Sequence, residues 1–165
     1  MNTIEKALIH GLFVHLHHNI DKVIDFKRFQ ELNLQVDKVW PGALAIGPEK
    51  NDDAAVFQIP DMKGFVVAKL ESHCSPAVPR PYDAAATGAG GAMRDIVAMG
   101  GRPIFLLDFI GTRPLDQEVI VGPCGFSGRC TCGKCKVMPS HERLNLMVKG
   151  LSDMCRSMDV FIVGG

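Results

Sequence analysis

Apolar residues along this chain recur first at helical steps and later in short unbroken runs. Ile4, Leu8, Leu12 and Leu16 share one helical face with Ala7 beside them, and Asn2-Thr3-Ile4-Glu5 supplies a cap with a glutamate close behind. Asp25 caps a second short helix that holds Phe26, Phe29 and Leu32, so residues 1–35 read as a helical lead-in. Trp40-Pro41-Gly42 breaks that pattern. Ala54–Ile59 and Phe65–Leu70 predict two strands joined by a turn over Asp61–Gly64. The proline-rich stretch Pro76–Pro81 predicts a loop. Helical spacing resumes near Gly91 with Met93, Ile96, Val97 and Met99, and Gly100-Gly101 ends it. Ile104–Phe109 is almost continuously apolar, which predicts a strand buried on both faces or central in its sheet. The last helix carries Leu144, Met147, Val148, Leu151, Met154, Cys155 and Met158 at three- and four-residue steps, with Ser140 as its cap. Val160–Val163 predicts a final strand. This order implies an α+β fold, a sheet with helices packed on it. Ending on a strand that runs into glycines predicts that a longer chain continues, with residues 1–165 as its first part.

Composition narrows the classes. Apolar residues make up 47% and charged residues 22% of 165, a globular balance with room for one domain and its core. Lysine plus arginine and aspartate plus glutamate number 18 each, so bulk charge points to neither nucleic acid nor an anionic membrane. No apolar run reaches bilayer length and no signal-peptide pattern opens the chain, so the expected compartment is the cytoplasm.

Four of the six cysteines, Cys124, Cys130, Cys132 and Cys135, crowd into a segment threaded by Gly125, Gly128 and Gly133. Clustered thiols of this kind predict a small metal-binding insertion over residues 122–139, with a closed structural zinc site as the first reading and an iron–sulfur cluster as the second. Cys155 lies on the apolar face of the last helix and reads as packing; Cys74 stands apart.

The stretch from Lys69 to Asp108 carries the remaining chemistry. Lys69, Glu71, His73 and Asp95 surround a small-residue turn, Ala84–Gly91, expected at a helix entrance. Bare N–H groups at such an entrance suit phosphate, and nearby carboxylates suit the Mg²⁺ that accompanies it. Phosphate binding is therefore expected from Lys69, Thr87, Gly88, Gly90, Gly91 and Arg94. Gly-Ala-Gly-Gly is neither a Walker loop nor a dinucleotide fingerprint. Glu71 and Asp95 flank the turn as candidate Mg²⁺ ligands, against the alternative of two solvated charges. His73 is the candidate catalytic residue, placed to orient substrate or steady charge on an oxygen; the alternative is a loop histidine bonded to backbone. Asp52 and Asp53 at a strand entrance are candidates for a second Mg²⁺ or for a simple turn. His15, His17 and His18 read as a solvated helix end.

Between Glu71 and Pro103 the chain resembles, nearly position by position, the ESHNHPS…GAATGxGGxxRDxxxMGxRP signature of formylglycinamide ribonucleotide synthetase, within the aminoimidazole ribonucleotide synthetase superfamily. Cys74-Ser75-Pro76-Ala77 replaces Asn-His-Pro-Ser, so the second histidine is absent, as is the family's Trp-Ser-Glu-His-Cys-Ser motif. Asn51-Asp52-Asp53-Ala54-Ala55-Val56 is instead similar to a motif of thiamine-phosphate kinase, selenophosphate synthetase and the hydrogenase-maturation dehydratase. The resemblance implies a nucleotide-binding N-terminal domain: a mixed sheet with helices on one face, pairing as a homodimer or with a second like half into a barrel. It assigns Glu71 and Asp95 to metal. It implies an ATP- and Mg²⁺-dependent ligase that activates an amide oxygen of a phosphoribosyl substrate, ammonia from a glutaminase subunit then displacing phosphate. Another ATP-using member of the superfamily and a non-catalytic metal-binding relative are the alternatives.

Overall fold

A computed structural model of the protein describes Gly42, Leu44–Ile46 and residues 52–165. The two expected lead-in helices, with His15, His17 and His18, lie outside the described residues. Two helices of 18 residues each, α1 (Pro81–Ala98) and α2 (Ser140–Ser157), pack directly on one another. Pro81 starts α1 where its missing N–H costs nothing, and Asp83 adds a carboxylate at the positive end of the dipole. The helix therefore begins ten residues before Gly91, and the expected small-residue turn is corrected to helix interior. Ala84, Ala85, Ala86, Ala89 and Ala92 are strong helix formers and carry the chain through its glycines. Gly100 and Gly101 do end α1, their N–H groups donating to the Val97 and Ile96 carbonyls at 2.9 Å each.

α2 starts differently from expectation. Pro139 occupies the cap position and Ser140 is the first helical residue. The Ser140 hydroxyl is wholly buried, donating to the Arg113 carbonyl at 3.1 Å and sharing a 2.7 Å hydrogen bond with Thr112 Oγ1. It ties down the preceding loop rather than capping the helix.

The core between the helices holds Ala89, Met93, Leu151, Cys155 and Val160, with Ala85, Leu106, Ile110 and Met154 around it. Cys155 is packing, as expected, and burial raises its thiol pKa, with Asp108 adding to the effect. The helices approach closely at Gly150, where a Cβ would collide with the Tyr82 carbonyl. Beside that contact the Tyr82 hydroxyl donates to Asp153 at 2.9 Å, and Lys149 reaches the same carboxylate at 2.5 Å.

Among the described residues the strands form three small sheets rather than one. β1 (Leu44–Ile46), β2 (Ala55–Phe57) and β3 (Val66–Ala68) make an antiparallel sheet in that order. β4 (Phe105–Leu107) pairs in parallel with β7 (Phe161–Gly164), and β5 (Glu118–Val121) pairs antiparallel with β6 (Lys136–Pro139). β1, β5 and β6 were not anticipated, and β6 takes the last four residues of the expected insertion over 122–139. β4 is corrected as well. Only Leu106 turns toward the helical core, while Phe105, Leu107 and the neighbouring Phe161 are 55%, 68% and 70% exposed. The helices cover one side of this sheet, and the other is apolar and bare among the described residues. No helix of the described residues is long and apolar enough to cross a membrane.

Candidate functional site

Two periodicities meet on α1. In the segment after β3, Lys69, Glu71 and His73 are half-buried while Leu70, Ser72 and Cys74 are exposed, the two-residue alternation of an extended chain. Asp95, Gly91 and Gly88 lie four and three residues apart, one stripe of a helix. The two stripes run side by side. Lys69 Nζ meets Asp95 Oδ2 at 2.7 Å; a Cβ on Gly91 would stand 3.8 Å from Glu71 Cγ and from His73 Cε1; one on Gly88 would stand 3.3 Å from His73 Cβ. At Gly88 a side chain would be crowded, so glycine serves the close approach, while the 3.8 Å at Gly91 is ordinary contact. In a helix interior the backbone N–H groups of residues 88, 90 and 91 serve the helix itself, so the expectation that they form an open phosphate cradle is corrected. Gly90 faces away, toward Met154 of α2. Thr87 is exposed on the same helix.

Asp95 is the electrostatic centre. It is 3% exposed, with Lys69 on one oxygen and Arg94 on the other, Arg94 donating from Nη2 at 2.8 Å and Nε at 3.1 Å. Burial alone would raise its carboxyl pKa, but hydrogen bonds and charge from Lys69 and then Arg94 outweigh it and hold the group below the usual range. Lys69 also donates to the Asp53 carbonyl at 2.9 Å, which ties the β2 entrance to the site. Asp52 and Asp53 are exposed, and the Asp52 carboxylate accepts the Asp53 N–H at 2.9 Å, a local turn bond. Glu71 is 3.7 Å from His73 Nδ1 and accepts the Ser72 N–H at 3.1 Å. Among the candidate residues, Lys69, Glu71, His73, Arg94 and Asp95 thus gather on one wall, with Asp53 at its edge. Both Asp95 oxygens are engaged, so a cation reaches them only when Lys69 or Arg94 swings aside. A shallow cleft lined by Ser152, Cys155, Arg156 and Phe161 holds none of these residues.

The four clustered cysteines form a second constellation at the tip of the β5–β6 hairpin. Their sulfurs all lie within 4.8 Å of one another, Cys124 to Cys132 at 3.2 Å and Cys132 to Cys135 at 3.7 Å. Gly122, Gly128 and Gly133 supply the left-handed turns, with φ of 139°, 69° and 67°. The Thr131 backbone and the neighbouring Cys132 push the Cys124 thiol down to about 6. The Cys124 N–H favours the Cys135 thiolate, yet burial and the three adjacent thiols outweigh it and push Cys135 up to about 12.

The family described as AIR synthase related protein, N-terminal domain, matches residues 51–165. The chain belongs to that family. Phosphoribosylformylglycinamidine synthase subunit PurL of Pyrococcus furiosus is 47% identical over 120 residues, which are 73% of this chain and 14% of that protein. The Pyrococcus horikoshii subunit of the same name is 35% identical over 122 residues, 74% of this chain and 14% of that protein. The Methanosarcina mazei subunit is 44% identical over 94 residues, 52% of this chain and 12% of its own length. The chain thus spans 12–14% of these relatives. No solved structure matches. The family resemblance is therefore borne out, and the matched residues 51–165 include the charged wall beside α1.

Proposed function

We propose that this domain is the nucleotide-binding part of a ligase of purine biosynthesis that converts formylglycinamide ribonucleotide to its amidine with ATP and ammonia. The observation that carries the reading is the Lys69–Asp95–Arg94 cluster, set beside Glu71 and His73 in a chain similar to synthase subunits. A triphosphate arriving at this wall offers Lys69 and Arg94 better anionic partners than one shared carboxylate. As they turn to it, Asp95 is released toward Glu71, and the two carboxylates can then hold Mg²⁺, which neutralises phosphate charge. Their residue types fit that ion, which keeps water and phosphate oxygens in its remaining positions. Asp52 and Asp53, at the exposed edge, suit a second, more hydrated ion. Thr87 extends the same face of α1 by one turn. His73, 3.7 Å from Glu71 and backed by Gly88, faces the substrate amide and donates to its oxygen as negative charge builds there.

The side of β4 and β7 left bare among the described residues supports pairing with a second like half, since Phe105, Leu107 and Phe161 expose apolar surface there. Ammonia would come from a glutaminase subunit. The test uses the complete protein with ATP, ammonium and the formylglycinamide substrate. Amidine formation that disappears in Glu71→Gln, while the variant stays folded, is the expected result. Equal turnover by wild type and Glu71→Gln would sink the proposal.

A further inference from the structure

We infer that Cys124, Cys130, Cys132 and Cys135 bind one zinc ion, and that this centre braces the segment between His73 and α1. A tetrahedral ion with Zn–S bonds of about 2.3 Å needs sulfurs about 3.8 Å apart. The observed separations bracket that value, from 3.2 Å for Cys124–Cys132 to nothing beyond 4.8 Å. A multinuclear iron–sulfur cluster needs its cysteine pairs spread by the metal–metal separation, more than four mutually close sulfurs allow. The backbone is already arranged for thiolates. Lys134 N–H points at Cys132 Sγ at 3.4 Å and Cys124 N–H at Cys135 Sγ at 3.3 Å. Cys132-Gly133-Lys134-Cys135 is a tight knuckle turned by Gly133 at φ 67°. The four cysteines are free thiols, so metal uptake expels their protons to solvent and transfers no electrons. Arg129, Lys134 and Lys136, on the same hairpin, offset the net negative charge of a four-thiolate zinc site.

The bracing follows from what Cys124 leads into. The 3₁₀ turn Gly125–Ser127 packs so tightly that a Cβ on Gly125 would collide with the Val78 side chain and stand 2.6 Å from the Ile120 carbonyl oxygen. Val78 belongs to the turns that connect His73 to Pro81, closed by Val78 N–H to the Ser75 carbonyl at 3.3 Å and Arg80 N–H to the Pro76 carbonyl at 2.9 Å. Fixing Cys124 in a metal cage therefore fixes Gly125 against Val78, and with it the path of the chain leaving His73.

Three measurements on the complete protein, purified under reducing, metal-replete conditions, test this without reference to turnover. Elemental analysis should find one zinc per chain in wild type and in Cys74→Ser, and less than a tenth of that in Cys132→Ser and Cys130→Ser. Cobalt replacement should give the visible bands of a tetrahedral thiolate site. Hydrogen exchange at residues 74–80 should quicken by about 10-fold when the ion is removed. Chelation of the wild-type protein provides that comparison even where a serine variant fails to fold. Metal-free thiols, a Cys124–Cys132 disulfide, or iron with sulfide would overturn the zinc assignment. Unchanged exchange at residues 74–80 after zinc removal would overturn the bracing.

Discussion

Gly88 lies directly beneath His73, so that a Cβ added to the glycine would stand 3.3 Å from the histidine's own Cβ. That distance gives the glycines of α1 a steric purpose. A helix-interior glycine costs about 1 kcal/mol relative to alanine, and what Gly88 secures is the approach of the chain carrying His73.

The contrast between Gly88 and Gly90 makes this measurable. Gly88→Ala should keep the helix and displace His73, lowering turnover by about 10-fold or more with little change in thermal stability. Gly90→Ala meets only the tip of the flexible Met154 side chain at 3.2 Å, so the gain in helix propensity should leave it as stable as wild type or up to about 1 kcal/mol more stable. Equal activity in the two variants would show that Gly88 is not there for His73.

Asp95→Asn tests the charge centre. The asparagine keeps the shape but leaves Lys69 without its ion pair, which should cost about 2 kcal/mol in chemical denaturation. In the complete protein, calorimetry should show Mg-ATP affinity weakened by about 10–100-fold. Asp116→Asn, exposed on the loop before β5, is the control and should change neither quantity. Equal affinity across wild type and both variants would remove Asp95 from the nucleotide site.

Much of this was legible in the residues. The last helix, the β2, β3, β4 and β7 strands and the convergence of Glu71, His73, Arg94 and Asp95 all follow from local periodicity and motif spacing. The start of α1 did not, because Gly88, Gly90 and Gly91 look like a turn when only the backbone is weighed. Their contacts with His73, Met154 and Glu71 come from distant segments. β5 and β6 were hidden for a similar reason: Glu118–Val121 pairs with Lys136–Pro139 across the cysteine segment and is too short to announce itself. The exposed side of β4 was misjudged since an apolar run reads as buried on both faces, while only Leu106 of Phe105–Leu107 packs toward the helical core. The Lys69–Asp95 bond was missed too, although a lysine and an aspartate flanking a close-packed glycine stripe were a signal for it.

Gly150 gives a prediction about the core alone. A Cβ there runs into the Tyr82 carbonyl, and backbone cannot yield as a side-chain tip can. Gly150→Ala should therefore cost about 3 kcal/mol or more, against the gain that alanine ordinarily brings to a helix. Tyr82→Phe, which removes only the 2.9 Å bond to Asp153, should cost about 1 kcal/mol. Thermal melts that rank the two in the opposite order would contradict the close crossing of α1 and α2.

Acid titration separates the two buried-to-exposed carboxylate networks. Asp95 and Asp153 both titrate below the ordinary aspartate value of 3.8, Asp153 because of hydrogen bonds from Lys149 and then Tyr82. A folded pKa below the unfolded one means that the unfolded chain takes up its proton first. The stability these groups contribute is therefore complete above the unfolded value and is lost as pH falls from there through the folded one. Other carboxylates titrate in the same window, so the informative quantity is the deficit of each variant relative to wild type. For Asp95→Asn and for Asp153→Asn, that deficit should be full at pH 7 and should shrink by pH 3. The side chain of Asp95 is 5% exposed and that of Asp153 is 31% exposed, so added salt should weaken the Asp153 effect more. Urea unfolding at both pH values and two salt concentrations reads all of this directly. A deficit for Asp95→Asn that stays constant from pH 7 to pH 3 would mean that its carboxylate does not hold Lys69 and Arg94 in solution.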